Sequence, residues 1–376
     1  MIKIKIYIWH GGIIILRGVP AGDCTSNCAG GVGVAVMARM VVLLLSIGLV
    51  ACSAAPRIPG VVSKSPLVVQ HPDQVEVKYL GGGGVLLRRG QDMVMTSPFV
   101  SNFSTWELLI PRDSKYERVD QALTDDISRM EAILLSGTHY YQAMDVPYIA
   151  TAHAPAAKIY GGSTAVHLLA PAIDRQRLMA ITKAASGSKA GEWLYSQNKR
   201  MRFMAIDTDL ISPVSMLSSA RLDEDQIRLP RLPRSYPAGE NYAWLIDFLN
   251  SNGTVSFRAF YQDAPSNFGM GQLPVLKDSE QAPVDVALLG VSRFYKADRY
   301  PAHILSSVRP RNVVAIRWED IRRPNTGVLR EDRAGDLEAF QNQIRQVSQA
   351  PVKTPAPGTT IHFRVKLSDP IQTATK

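Results

Sequence analysis

The chain has 376 residues, 46% of them hydrophobic and 20% charged, which excludes a disordered, collagen-like or low-complexity protein over most of its length. Its formal charge of +9 divides into +3 on residues 1–51, where Lys3, Lys5, Arg17 and Arg39 face Asp23, and +6 on the remainder. Beyond residue 51 the cations are interspersed with Asp and Glu rather than gathered in a stripe with aromatic residues, so no nucleic-acid partner is expected.

The first informative segment is the short basic head Met37 to Met40 followed by the apolar run VVLLLSIGLVA (41–51). An eleven-residue apolar run is too short to cross a hydrocarbon layer of ~30 Å, which takes about 20 residues of helix, and the segment reads as a secretory signal. Leu49-Val50-Ala51-Cys52 resembles the lipobox of bacterial lipoproteins. That resemblance implies lipidation of Cys52 and a cell-envelope protein attached to the membrane rather than spanning it. Ser53, in the place where Asp commonly retains lipoproteins at the inner membrane, implies an outer-membrane location facing the periplasm. Residues 1–36 read as an upstream extension with no derivable role, and Met37 as the start. Cys24 and Cys28 lie upstream of the expected cleavage, so the mature chain has no thiol for a disulfide framework. Residues 52–74 form the lipidated tether, rich in Pro and Ser, and residues 75–376 a single domain.

Within that domain the pattern turns to short strands: VEVKYL (75–80), VLLRR (85–89) and DMVMTS (92–97). Gly81 to Gly84 form a tight connection, since no Lys-Ser/Thr pair or helix follows as a phosphate loop would need. Val119, Leu123, Ile127 and Met130 predict one helix with a buried face, running into the apolar strand AILL (132–135). AWLIDFL (243–249) and TVSFRAFYQD (254–263) flank Asn252-Gly253, a pair suited to the positive φ angles of a tight hairpin. VDVALLGV (284–291) and NVVAIRW (312–318) read as strands and 301–308 as a helix. A further helix is capped by Asp336 and presents Leu337, Phe340, Ile344 and Val347 on one side, and IHFRVKL (361–367) is a last strand.

Three of these segments, in this order, resemble the metallo-β-lactamase fold: residues 77–102, AILLSGTHYYQAMDVPYIA (132–150), and 284–291 with VVAIRWEDI (313–321). The resemblance spans residues 75 to about 325 and implies an α/β architecture, a four-layer αββα sandwich with a two-metal centre. Most ligand positions do not carry ligands. On the H-x-H-x-D-H pattern Gly137 stands at the first His, His139 matches the second, Tyr141 replaces the Asp and Gln142 the last His. Leu210, in AIDTDLISP (205–213), takes the place of the next His. Asp263, at the end of FRAFYQDAPSN (257–267), keeps the bridging carboxylate, and Arg317 replaces the final His.

A catalytic zinc needs about three protein ligands, more than His139 and Asp263 supply, and a permanently charged guanidinium repels a divalent cation. The expectation is therefore no cofactor and no assigned catalytic residue, with His139 and Asp263 as family remnants and Arg317 forming a bidentate pair with a buried Asp263. The role is binding or scaffolding, toward a small ligand or an envelope protein. The alternative is a metal-dependent hydrolase with one zinc, iron or manganese ion on His139, Asp263 and one of Asp145, Asp207 or Asp209. Tyr140, Tyr141, Asp145 and His139 are also candidates to line a shared polar cleft.

Overall fold

The computed structural model describes residues 74–365 apart from 188, 210, 212–219 and 326, together with residue 58 and the short strands at 7–9, 12–14 and 61–62. Two compact units divide the chain, Met1–Pro56 and Arg57–Lys376. In the first, β1 (Tyr7–Trp9) and β2 (Gly12–Ile14) pair antiparallel. The signal run 41–51 and Cys52 lie outside the described residues, and among those described no helix is long and apolar enough to cross a membrane.

The second unit begins with β3 (Val61–Val62), which pairs with a late strand, so part of the expected tether belongs to the domain's sheet edge. Two sheets follow. One has seven strands in the order β17-β4-β5-β6-β7-β8-β9: β4 (Gln74–Gly81), β5 (Gly84–Arg89), β6 (Asp92–Thr96), β7 (Ala132–Leu134), β8 (Lys158–Gly161), β9 (Leu178–Ala180) and β17 (Thr360–Arg364). The other has eight, β10-β11-β12-β13-β14-β15-β16-β3: β10 (Leu194–Tyr195), β11 (Met201–Thr208), β12 (Asn241–Leu249), β13 (Val255–Gln262), β14 (Val286–Gly290), β15 (Val313–Ile316) and β16 (Val352–Pro355).

Side-chain alternation explains the layering. In β5, Val85 and Leu87 enter the core between the sheets while Leu86 joins a second core with the helices. The inter-sheet core is crossed by Trp244, whose indole donates to the Leu135 carbonyl at 3.1 Å, and by the Tyr160–Phe203 and Phe257–Phe363 ring contacts. Over the seven-stranded sheet lie α1 (Tyr116–Ala122), α2 (Tyr140–Ala143), α3 (Val146–Tyr148) and α4 (Ser163–Leu169), packed through Val119, Met144, Val146 and Leu168. Over the eight-stranded sheet α5 (Ala302–Val308) and α6 (Leu337–Val347) pack through Ile304, Leu305, Phe340 and Ile344. The architecture is the four-layer αββα sandwich.

Two local expectations need correction. The helix beginning at Tyr116 stops at Ala122, although Leu123, Ile127 and Met130 are all buried as the periodicity requires. Asp125 leaves to pair with Lys78 at 2.5 Å and Arg88 at 3.2 Å on the sheet, and Asp126 accepts from the Ser128 amide and hydroxyl in an Asx turn that competes with helix. In the β12–β13 hairpin only Gly253 of the Asn-Gly pair has positive φ, +80°. The connection is longer than two residues, with Asn250 donating to the Thr254 carbonyl and a bulge at Leu249, because the Asn252 side chain is occupied with the Thr254 amide and hydroxyl. The tight two-residue turn occurs instead at the glycine run, where Gly82 (φ +62°) and Gly83 (φ +98°) join β4 to β5.

Candidate functional site

Strands β13, β14 and β15 run parallel, as do β6, β7 and β8, so each sheet gathers the loops from its strand carboxyl ends on one side. Such ends are where open α/β sheets place ligands. Asp263 follows β13 directly, Arg317 follows β15, and Ser136 to Gln142 follow β7. Gly290 ends β14 where a Cβ would lie 2.0 Å from the Asp263 carbonyl oxygen, so only glycine lets the Asp263 backbone pass.

Asp263 is 1% exposed and Gln142 is fully buried. The Gln142 amide donates to Asp263 Oδ2 at 3.0 Å and to Ser136 Oγ at 3.1 Å, and Ser136 Oγ meets Ser97 Oγ at 2.7 Å. This relay gives the buried carboxylate a neutral donor. Arg317 supplies the charge. Its Nη1 is 3.9 Å from Asp263 Oδ2, an ion pair without hydrogen-bond contact, so the expected bidentate geometry is not formed. The guanidinium is instead drawn over the Tyr141 ring, 4.0 Å from its centroid. Burial opposes the charge on Arg317, but Tyr141 and Asp263 outweigh it and hold the guanidinium above its ordinary value.

The backbone at Arg317 adopts φ +50°, a left-handed conformation that costs a non-glycine residue about 1–2 kcal/mol. It is held by a bond from its own amide to Tyr79 Oη at 2.7 Å. Tyr79 donates in turn to Glu319 Oε2 at 2.5 Å, and Glu319 Oε1 accepts from the Gly82 amide at 2.6 Å. Burial pushes the Glu319 carboxyl up, against the pull of those two bonds. The glycine turn is thereby fastened over the site, with a Cβ at Gly83 reaching 3.1 Å from the Asp263 Cβ.

His139 is 1% exposed, and its Nδ1 lies 3.4 Å from the Tyr236 carbonyl. Burial, with Arg317 adding repulsion, lowers it to about 4 against the pull of the Tyr236 carbonyl, so the ring is neutral at pH 7. At Gly137 an added Cβ would meet Gln142 Oε1 at 2.5 Å and Asn241 Oδ1 at 2.7 Å; the space of a first histidine is filled by two amides. The residues present do not fit the two-metal centre that the resemblance implies. One imidazole turned to a backbone carbonyl and one carboxylate beside a guanidinium fall short of a metal's needs.

Nor do the alternative carboxylates converge. Asp145 is consumed by the Val100 and Ser101 amides and the Ser101 and Ser114 hydroxyls at 2.5–2.9 Å. Asp209 accepts from the Asn267 amide and side chain, and Asp207, raised by burial, packs near Gly187. Among the described residues no three His, Cys, Asp or Glu side chains form a metal-sized group. Leu210 lies outside the described residues.

Above Arg317 opens a cavity of about 440 Å³. Arg293, Lys296, Arg317, Arg322 and Arg333 line it against one anion, Asp332, and Tyr140, Tyr141 and Tyr295 supply rings. A neighbouring cavity of about 480 Å³ shares Thr105, Arg322 and Arg333 with it and adds Arg323 and the exposed Trp106. A further cavity of about 590 Å³, around Phe268, Tyr300 and His303, has Arg299 as the one cation among its described lining residues. Sequence reading missed this cationic lining because it comes from two loops that are separate in the chain. Its available signal was seven arginines within residues 309–333, diluted there by acidic neighbours. Glu319, the bracket of the glycine turn, also had no role until the fold brought Tyr79 and Gly82 to it.

No protein-family model matches the chain, and no curated protein matches it. Solved structures of metallo-β-lactamase-fold proteins are similar to it. Igni18, a metallo hydrolase from the archaeon Ignicoccus hospitalis, is 14% identical with a TM-score of 0.46, over 78% of this chain and 100% of that one. The metallo-β-lactamase fold protein YhfI from Bacillus subtilis is 11% identical with a TM-score of 0.45, over 76% and 99% of the two chains. A possible metal-dependent hydrolase from Veillonella parvula is 13% identical with a TM-score of 0.44, over 77% and 99%.

Proposed function

We propose that the chain is an envelope lipoprotein, anchored through Cys52 at the outer membrane, whose αββα domain binds a ligand in the cleft at the strand ends rather than hydrolysing one. A single observation carries the binding reading: Arg317, seated on Tyr141 and 3.9 Å from Asp263, puts an organic cation where the family resemblance places a metal ligand. A fixed positive group orients an anion, but it provides no activated water, which is what a bound metal would contribute. The lipobox-like Leu49 to Cys52 supports the anchor, and removal of the segment before Cys52 leaves a domain with its own two cores.

The chain purified without chelator and assayed by elemental mass spectrometry is expected to carry no stoichiometric zinc, iron or manganese. One or two equivalents of any of them would overturn the binding reading. Expression in a bacterial host tests the anchor: the intact mass should show a diacylglycerol-modified Cys52 at the mature N-terminus, and Cys52→Ser should release the domain from membranes.

A further inference from the structure

Resting on the reading of the cleft as a metal-free binding site, we propose that the cavity above Arg317 holds an organic phosphate. Of its five lining cations, Arg322 is paired with Asp320 at 2.7 Å and Asp332 at 3.4 Å, and Arg317 with Asp263 at 3.9 Å. Arg293, Lys296 and Arg333 have no ion-pair partner among the described residues. Three uncompensated cations around one concave space favour a multiply charged anion. A carboxylate brings one charge, whereas a phosphate monoester brings about −1.5 to −2 at neutral pH and three acceptor oxygens suited to guanidinium forks.

The placement of the cations is built into the backbone. Arg293 sits at φ +64° with its amide donating to the Ala334 carbonyl at 2.7 Å, which ties its loop to that of Arg333. Asp332, the one lining anion, is turned to the Ser292 hydroxyl at 2.6 Å and the Ala334 amide at 3.2 Å, besides Arg322. It braces the loops while leaving Arg333 free. The remaining wall is apolar and aromatic, from Leu108, Ile321, Tyr140 and Tyr295, and suits the organic part of an ester. The adjoining cavity, entered past Arg322 and Arg333 beside Trp106, gives a longer ligand room to extend.

The phosphate can belong to a soluble ester or to a phospholipid headgroup, and calorimetry with vesicle sedimentation separates the two. Titration of the full chain with phenyl phosphate is expected to saturate, more tightly than benzoate, and to weaken about tenfold or more in Lys296→Ala/Arg333→Ala, two exposed positions whose loss leaves the cores intact. If phenyl phosphate does not bind but phosphatidylglycerol in phosphatidylcholine vesicles recruits the wild-type chain better than the double variant, the phosphate is that of a lipid. The inference is overturned if neither probe binds, if benzoate binds as tightly as phenyl phosphate, or if the double variant binds like wild type. Metal content of the same sample keeps the two readings apart: stoichiometric zinc sinks the metal-free cleft, whereas a metal-free chain indifferent to phosphate sinks this inference alone.

Discussion

Arg317 and Asp263 can be removed separately and together, as Arg317→Met, Asp263→Asn and the double variant. At 3.9 Å two unit charges interact by about 4 kcal/mol at the effective dielectric of 20 that suits protein sites. Side-chain rearrangement and the Gln142 amide, which gives Asp263 its donor at 3.0 Å, reduce what a cycle reads to about 2 kcal/mol. Arg317→Met alone leaves a carboxylate, 1% exposed, with that neutral donor, and should cost about 3 kcal/mol. Asp263→Asn keeps an acceptor for Gln142 and costs less, and the double variant is more stable than the sum of its parts. Urea unfolding at pH 7 and low salt, with equal m-values as the two-state check, measures all four corners. A coupling below about 0.5 kcal/mol would show that Arg317 does not neutralise Asp263.

His139 provides a pH signature. Its folded value, about 4, is depressed below the ordinary 6.5, so its contribution is present above about pH 6.5 and lost as pH falls toward 4. Between pH 7.5 and 4.5 wild type should lose about 2–3 kcal/mol more than His139→Gln. Asp145 and Glu319, raised by burial, act in the opposite sense but are common to both proteins and cancel in the comparison; parallel stability curves would refute the buried neutral imidazole. At the glycine turn, Gly82→Ala places a Cβ 2.7 Å from the Phe99 carbonyl oxygen at φ +62°. It should cost well over the ~1 kcal/mol expected of Gly90→Ala, which has a similar φ of +60° but nothing within 4 Å, and equal losses in thermal melts would remove the close-approach argument.

The strands were legible because their signals are local. AILL, VDVALLGV and NVVAIRW are apolar runs that only a doubly covered sheet explains, and Asp336 does cap α6, accepting from the Ala339 amide. The helix after Tyr116 was overestimated because periodicity records burial and not hydrogen bonding: Ile127 and Met130 reach the core from turns. At the site, the residues at Gly137, His139, Tyr141, Gln142, Asp263 and Arg317 stood in the sequence, but not their mutual use. That a glutamine would serve an aspartate, or a tyrosine carry a guanidinium, depends on two strand ends from different sheets meeting. The cationic cavity was least legible. Net charge along the chain is modest, and folding sorts it, sending Asp320 and Asp332 to Arg322 and leaving Arg293, Lys296 and Arg333 without an ion-pair partner among the described residues.

The amides packed around Gly137 bear on how such a site could change over generations. A histidine introduced there collides at once with Gln142 and Asn241, and Gln142 cannot be exchanged without stripping Asp263 of its donor. Each step toward a metal ligand set is therefore harmful before it is useful, and several would have to occur together. The packing works as a ratchet: it is the surrounding amides, more than any single residue, that bar a metal-ligating side chain at this position.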